Sequence, residues 1–208
     1  MIPEDVRGYL ARLIERLSAA LEDRLVGVYA LGGMAFGDYR PESSDLDVYA
    51  VVRAALEEDQ KLSLAERCSH RMLPCPARRL ELVVISAEAA RRPGRVPRWE
   101  LNLNTGPGQP DHVGLDPAAE PSHWFVLDLA IAYHRGVPLV GPPAHELIGS
   151  PDAAAVHHAQ SEVVAWYARN EMREETVTAA CRAWHWLETG TFAAKREARH
   201  WAGARLSP

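Results

Sequence analysis

The sequence predicts an α+β protein, with a small mixed sheet and its helices over residues 1–149 and a short all-α domain over residues 150–208. Three observations predict this. Short apolar runs at 25–31, 45–52 and 80–86 read as buried strands, and a polar, helix-prone stretch at 56–73 lies between the last two. Beyond Ser122 every periodic segment is helical. The punctuation Gly149-Ser150-Pro151 marks the boundary between the two parts.

Each element has its own signal. Val6, Leu10, Leu13, Ile14, Leu17 and Leu21 recur at three- and four-residue steps, and Pro3, Glu4 and Asp5 precede them as a helix start does. The run at 25–31 ends in Gly32-Gly33, a strand entering a turn. From 88 to 121 the chain is rich in proline, glycine and arginine, interrupted by 99–103, a candidate further strand. Helical periods then cover 124–134, 153–169, 176–187 and 193–205, with Gly141-Pro142-Pro143 as a break among them.

Composition narrows the class. The chain has 208 residues, 47% hydrophobic and 25% charged, with a formal net charge of -5. That is a globular mixture able to bury a core without staples. Its acidic balance argues against a nucleic-acid binder working through a broad basic face. Three cysteines, Cys68, Cys75 and Cys181, cannot all pair and match no common zinc spacing, so they read as reduced thiols. The acidic start has no signal-peptide character, and no apolar run approaches the roughly 18 residues of a spanning helix. A soluble, cytoplasmic monomer with no membrane contact is expected.

One cluster carries chemistry. Leu31-Gly32-Gly33 is followed, eleven residues on, by Asp45-Leu46-Asp47-Val48. Two carboxylates two apart on a strand project from one face, roughly 6.5–7 Å apart at the backbone. At that distance they repel by roughly 2–3 kcal/mol at an effective dielectric near 20. A cation relieves the repulsion, and paired oxygen ligands suit Mg²⁺. Gly32 and Gly33 have no Cβ, so their amides can approach a phosphate chain closely. Glu81, inside the apolar run Leu80-Glu81-Leu82-Val83, would complete a three-carboxylate cluster if its strand lay beside that of Asp45.

These residues resemble the nucleotidyltransferase superfamily that includes DNA polymerase β. Leu31-Gly32-Gly33-Met34-Ala35-Phe36-Gly37 with Ser44-Asp45-Leu46-Asp47 looks more particularly like the aminoglycoside adenylyltransferases that modify streptomycin and spectinomycin. Leu80-Glu81-Leu82-Val83 is similar to the strand of their catalytic base, and 136–142 to the end of their N-terminal domain. Cys181-Arg182-Ala183-Trp184, Glu188-Thr189-Gly190, Lys195 and Trp201 resemble a helix pair of their C-terminal domain. The resemblance implies a polymerase-β-like N-terminal domain and ATP as co-substrate. It further implies Mg²⁺ on Asp45, Asp47 and Glu81, with Glu81 taking the proton of the attacking hydroxyl. Arg182 and Lys195 would reach the triphosphate, and Gly32, Gly33 and Ser44 would line the nucleotide side.

The acceptor side departs from that pattern. Gly33 stands where those enzymes have a serine, and Val163, Ala168, Met172 and Gly106 stand at tryptophan and aspartate positions of their acceptor site. The relatives also continue with further helices after the point matching Pro208. Glu171, Glu174 and Glu175 precede the helix of Arg182, and Glu100 sits in an alternating strand-like run. Of these, Glu100, Glu174 and Glu175 are the expected substrate residues, for a hydroxylated, cationic small molecule. Two other readings compete: a toxin–antitoxin protein that transfers nucleotides onto a partner protein, and a non-catalytic nucleotide binder. The helix pair with Arg182 and Lys195 weighs against the first, whereas Gly33 motivates the second.

Overall fold

The computed structural model of the chain describes residues 2–206. Helix α1 (Glu4–Leu21) leads into strand β1 (Leu25–Ala30), a single helical turn α2 (Gly32–Ala35) and strand β2 (Leu46–Val52). Helix α3 (Glu58–Cys68), strand β3 (Leu80–Ser86), α4 (Ala87–Arg91), β4 (Leu101–Thr105) and β5 (His112–Gly114) follow. Then come α5 (Ser122–Arg135), β6 (Val137–Val140), α6 (Ala144–Leu147), α7 (Ala153–Arg169), α8 (Arg173–Thr189) and α9 (Lys195–Leu206).

The strands form one six-stranded mixed sheet in the order β5-β4-β3-β2-β1-β6. Only β2 and β3 pair in parallel, which is why α3 has to cross between them. One face of the sheet turns Val28, Ala30, Val48, Ala50, Leu82 and Val84 toward α1 and α3. Residues one step out of phase, Tyr29, Tyr49, Val51, Val83 and Ile85, face α5. The period of two in a strand thus assigns every residue of β2 and β3 to one layer or the other. Burying each large aliphatic side chain in these layers contributes about 1.5–3 kcal/mol.

Helix α5 is the shared wall of the molecule. Its Phe125, Leu129 and Ala132 pack on the sheet. Its Val126, Ala130 and Ile131 meet Ala155, Val156, Ala159 and Phe192 of the C-terminal segment. An ion pair between Arg196 of α9 and Asp38 ties the last helix back to the loop after α2. Among the described residues no helix is long and apolar enough to cross a membrane.

The helix expected over 56–73 stops at Cys68, and Pro74 and Pro76 keep the following segment in turns. The strand expected at 99–103 lies at Leu101–Thr105, because Trp99 turns into the core against Phe125. Two strands carry no sequence signal. β5 has only three residues, and β6 contains Pro138, tolerated because β6 is an edge strand.

Candidate active site

The acids meet where β2 and β3 begin. Their parallel register sets Asp47 directly beside Glu81, and Asp45 lies one pleat before Asp47 on the same face. The turn after β1 closes on them. The Leu31 amide donates to the Asp47 carbonyl at 2.9 Å, and Gly32 adopts a left-handed φ of 51°. A Cβ on Gly32 would overlap the Asp47 carboxylate, so this glycine is required twice over, by conformation and by space. Gly33 packs against Tyr39, and a Cβ there would lie 3.4 Å from the Ser44 hydroxyl, so the two nucleotide-side residues are neighbours.

Burial and mutual repulsion dominate the electrostatics. Burial, and then the nearby Asp128 and Asp45, push Asp47 up to about 6. Burial and then Asp47 push Glu81 up to about 7, with the Arg79 guanidinium opposing. Buried side by side, the two carboxyls resist carrying two negative charges. Near neutral pH this site therefore stores repulsion that a cation can relieve.

Two cations already stand against these acids. Arg78 grips Asp45 with both edges, Nε to Oδ1 at 2.8 Å and Nη2 to Oδ2 at 2.5 Å. Arg79 pairs with Glu81 through Nη2, and its Nε lies 3.4 Å from Asp45 Oδ2. With the arginines on them, no three acids among the described residues are arranged around a single ion position. The donors nevertheless fit Mg²⁺ by chemistry: all are carboxylate oxygens at the start of adjacent strands, and burial holds Asp47 and Glu81 above their ordinary pKa.

The helical segment supplies further charge. Arg182 on α8 feels Asp128, Tyr167 and Asp47, and burial lowers its pKa. Its Nε donates to the Ala193 carbonyl at 3.3 Å, and its guanidinium lies 5.9 Å from the Phe36 ring centroid. Lys195, exposed at the first position of α9, bears on Asp47. The fold thus brings Gly32, Gly33, Ser44, Asp45, Asp47, Glu81, Arg182 and Lys195 to one cleft.

The three acidic residues expected on the acceptor side are placed differently. Glu100 accepts from the Leu56 amide and pairs with Lys61 at 3.0 Å, so it braces the start of α3. It enters the ladder opposite the far end of β3, away from Glu81. Glu174 pairs with Arg199 at 2.7 Å on the surface between α8 and α9. Glu175 alone bears on the cleft, through Tyr167.

Several cleft residues escape the sequence reading. Asp128 on α5 accepts from the Tyr49 hydroxyl at 3.2 Å, and burial and then Glu81 push it up to about 7. A lone acid in the apolar helical run 125–132 was its signal. Asn104 sits opposite Glu81 in the β3–β4 register and donates to Asn102, which donates to Glu120. Trp124, Trp166 and Tyr167 form a mutually edge-on cluster, with centroids 5.3–5.6 Å apart, one turn of α5 from Asp128. Nothing in the local sequence announces that cluster, since it joins α5 to α7.

No protein-family model matches the sequence, and none of the curated proteins matches it. Among solved structures, a toxin–antitoxin complex of Shewanella oneidensis, a tri-AMPylated HEPN toxin with MNT antitoxin, covers 80% of this chain and 92% of that one. At 11% identity and a TM-score of 0.35, that likeness is too loose to argue from. The spectinomycin adenyltransferase AAD(9) from Enterococcus faecialis, solved with ATP and spectinomycin, is 21% identical. It superposes with a TM-score of 0.73 over 98% of this chain and 84% of its own, so the two proteins share one fold from the first strand to the last helix.

Proposed function

We propose that the protein transfers AMP from ATP to a hydroxyl group of a small molecule. One observation carries this reading. The β2–β3 register sets Asp47 and Glu81 side by side against a glycine turn, in the same cleft that receives Arg182 and Lys195 from the helical segment. The fold shared with an adenyltransferase supports it.

The nucleotide lies between the sheet-bearing part, residues 1–149, and the helical part, residues 150–208. Gly32 and Gly33 offer backbone amides to its phosphates, with Ser44 beside them. Arg182 and Lys195 hold the triphosphate and offset the charge that gathers on departing pyrophosphate. Asp45, Asp47 and Glu81 would hold Mg²⁺, which when bound supplies positive charge to the phosphate oxygens. The acceptor oxygen attacks the α-phosphorus in line, its bond to the β-side oxygen breaks, and the hydroxyl proton passes to Glu81. A base poised near neutrality suits that task, and Glu81 is pushed up to about 7. We place the protein in the cytoplasm, where ATP is abundant, and expect it to act as a monomer.

Labelled ATP, Mg²⁺ and a panel of hydroxylated acceptors test the reading, beginning with spectinomycin, the molecule bound by the structural neighbour. Label on the small molecule is the expected outcome. Label on a protein, or no pyrophosphate released with any acceptor, overturns it.

A further inference from the structure

Between α5 and α7, outside the nucleotide cleft, lies a cavity of about 300 Å³. Ser122, His123 and Val126 of α5 form one wall, and Ala155, Ala159, Glu162 and Arg169 of α7 form the other. Arg95, from the loop after α4, joins them. Successive helical residues turn by about 100°, so Ser122 and Val126 lie well round α5 from Asp128. The α7 residues, spaced three and four apart, lie equally far round from Tyr167, which bears on Glu81. Of the aromatic cluster only Trp166 lines this cavity.

Its walls suit a negative group. His123 is 7% exposed, and its ring Nε2 is buried with no hydrogen-bond partner. Glu162, Arg169 and His158 are the charges that act on this ring, and all three line the cavity, so the ring stands among them. Burial lowers the His123 pKa, which leaves the ring neutral near pH 7. With its proton on Nε2 it donates to a ligand oxygen, recovering the desolvation that the unpaired nitrogen costs. Helix α5 also begins here. Pro121 precedes it, no side chain caps it and its first turn carries no acid, so its leading amides and the positive end of its dipole are unanswered. Arg95 and Arg169 are exposed, and neither guanidinium has a partner among the described residues. Two guanidinium groups against the one carboxylate of Glu162 leave a single net positive charge, the right match for a monoanion. Val126, Ala155 and Ala159 give the cavity a buried apolar floor.

We propose that this cavity is a further small-molecule site for an amphipathic carboxylic acid, whose carboxylate meets His123, the α5 amides, Arg95 and Arg169 while its apolar body lies on Val126, Ala155, Ala159 and Trp166. The site is independent of adenylyl transfer. The probes are 3-phenylpropionate and its neutral amide, which differ in charge and hardly in size. Each is titrated into the full chain and followed by NMR of the histidine-ring and tryptophan-indole signals, with and without Mg²⁺ and a non-hydrolysable ATP analogue. The acid should shift the His123 and Trp166 signals, bind at least roughly tenfold more tightly than the amide, and weaken with added salt. The ATP analogue should leave its affinity within about twofold. R95Q and R169Q should each weaken it roughly three- to tenfold, whereas E162Q should tighten it roughly two- to fivefold. Opposite signs at neighbouring positions cannot come from a general loss of structure. H123L should cut the advantage of the acid over the amide roughly fivefold, and R169Q and E162Q carry the test should that variant fail to fold. Absence of binding, equal affinity for acid and amide, unchanged affinity in R95Q and R169Q, or weaker binding in E162Q overturns the proposal. Displacement of the acid by the ATP analogue overturns it as well, by placing the acid in the nucleotide cleft.

Discussion

The two sides of the proposed site, one assigned to nucleotide and one to acceptor, are built on different scales. The nucleotide half is local: one turn between β1 and β2 and the first residues of β2 and β3 bring Gly32, Gly33, Ser44, Asp45, Asp47 and Glu81 together through strand register alone. The side proposed for the acceptor is assembled from afar, with Asn104 on β4, Asp128 on α5 and Tyr167 on α7 around Glu81. Register tolerates no slip, because a one-residue shift turns every acid to the opposite layer. Helix–helix packing tolerates change at one contact while keeping the others. The first side is therefore fixed by strand register, whereas the second depends on how α5 and α7 pack.

That contrast is sharpest at Asp47. Asp47→Asn keeps the shape of the side chain and removes one negative ligand beside Gly32. Pyrophosphate release should become undetectable and Mg²⁺-dependent ATP binding should weaken, as read by a coupled assay and calorimetry. Activity within about tenfold of wild type would place Asp47 outside the metal set. Glu81→Gln should retain ATP and lose ~10²–10⁴-fold in rate, the cost of removing a general base. Lost ATP binding with a normal rate in the remaining complex would make Glu81 a ligand only. Arg182→Ala reaches the same site from the helical segment. Losing a charged hydrogen-bond donor to phosphate should weaken ATP binding by roughly 10- to 100-fold, with the folded chain intact by circular dichroism.

How far each half was readable in the sequence follows from its construction. A glycine pair, a fixed spacing and two acids on alternate residues place Asp45 and Asp47 on one face directly, whereas Glu81 joined them in the sequence only on condition that its strand lay beside theirs, or through the resemblance. The sheet was legible for the same reason, except where β5 is too short to show a period and β6 carries Pro138. Glu100 and Asp128 show the limit. Both are acids in largely apolar surroundings, yet one pairs with Lys61 and the other reaches Tyr49, and only the packing of α3 and α5 decides which. Arg78 and Arg79 carry no sequence signal of this kind, and their grip on Asp45 and Glu81 appears only with the register known.

The raised acids give the comparison a pH signature. Unfolded carboxyls titrate near 4, whereas Asp47 is pushed up to about 6 and Glu81 and Asp128 to about 7. Well below pH 4 these groups are protonated in both states and cost nothing. As pH rises from about 4 to about 7 the unfolded chain ionises them freely while the folded chain must do so against burial and one another, so their contribution to stability falls. The metal-free protein should melt at a lower temperature at pH 8 than at pH 5.5. Mg²⁺ with the ATP analogue should reverse most of that drop, and Asp128→Asn should reduce it. A melting temperature that rises across this window would show that the three acids are not what limits stability there.

The smallest effect belongs to Glu174, and it separates the acceptor cleft from the ordinary surface next to it. Glu174 and Glu175 are adjacent, but successive helical residues point about 100° apart, so they do different work. Glu174 is spent on Arg199 at 2.7 Å, and its side chain is 75% exposed. Such a pair contributes about 0–1 kcal/mol and is screened by salt. Glu175 bears on Tyr167, inside the aromatic wall. Glu174→Gln should therefore leave acceptor affinity, ATP affinity and rate within about twofold of wild type, with stability lowered by no more than about 1 kcal/mol in urea unfolding. Glu175→Gln should weaken a cationic probe such as spectinomycin by roughly two- to fivefold at low salt, the difference fading at high salt. Equal effects at the two positions would mean that the start of α8 acts only as a diffuse negative surface. A larger effect at Glu174 would mean that Arg199 releases it to the acceptor on binding, and the edge of the cleft would then move outward to α9.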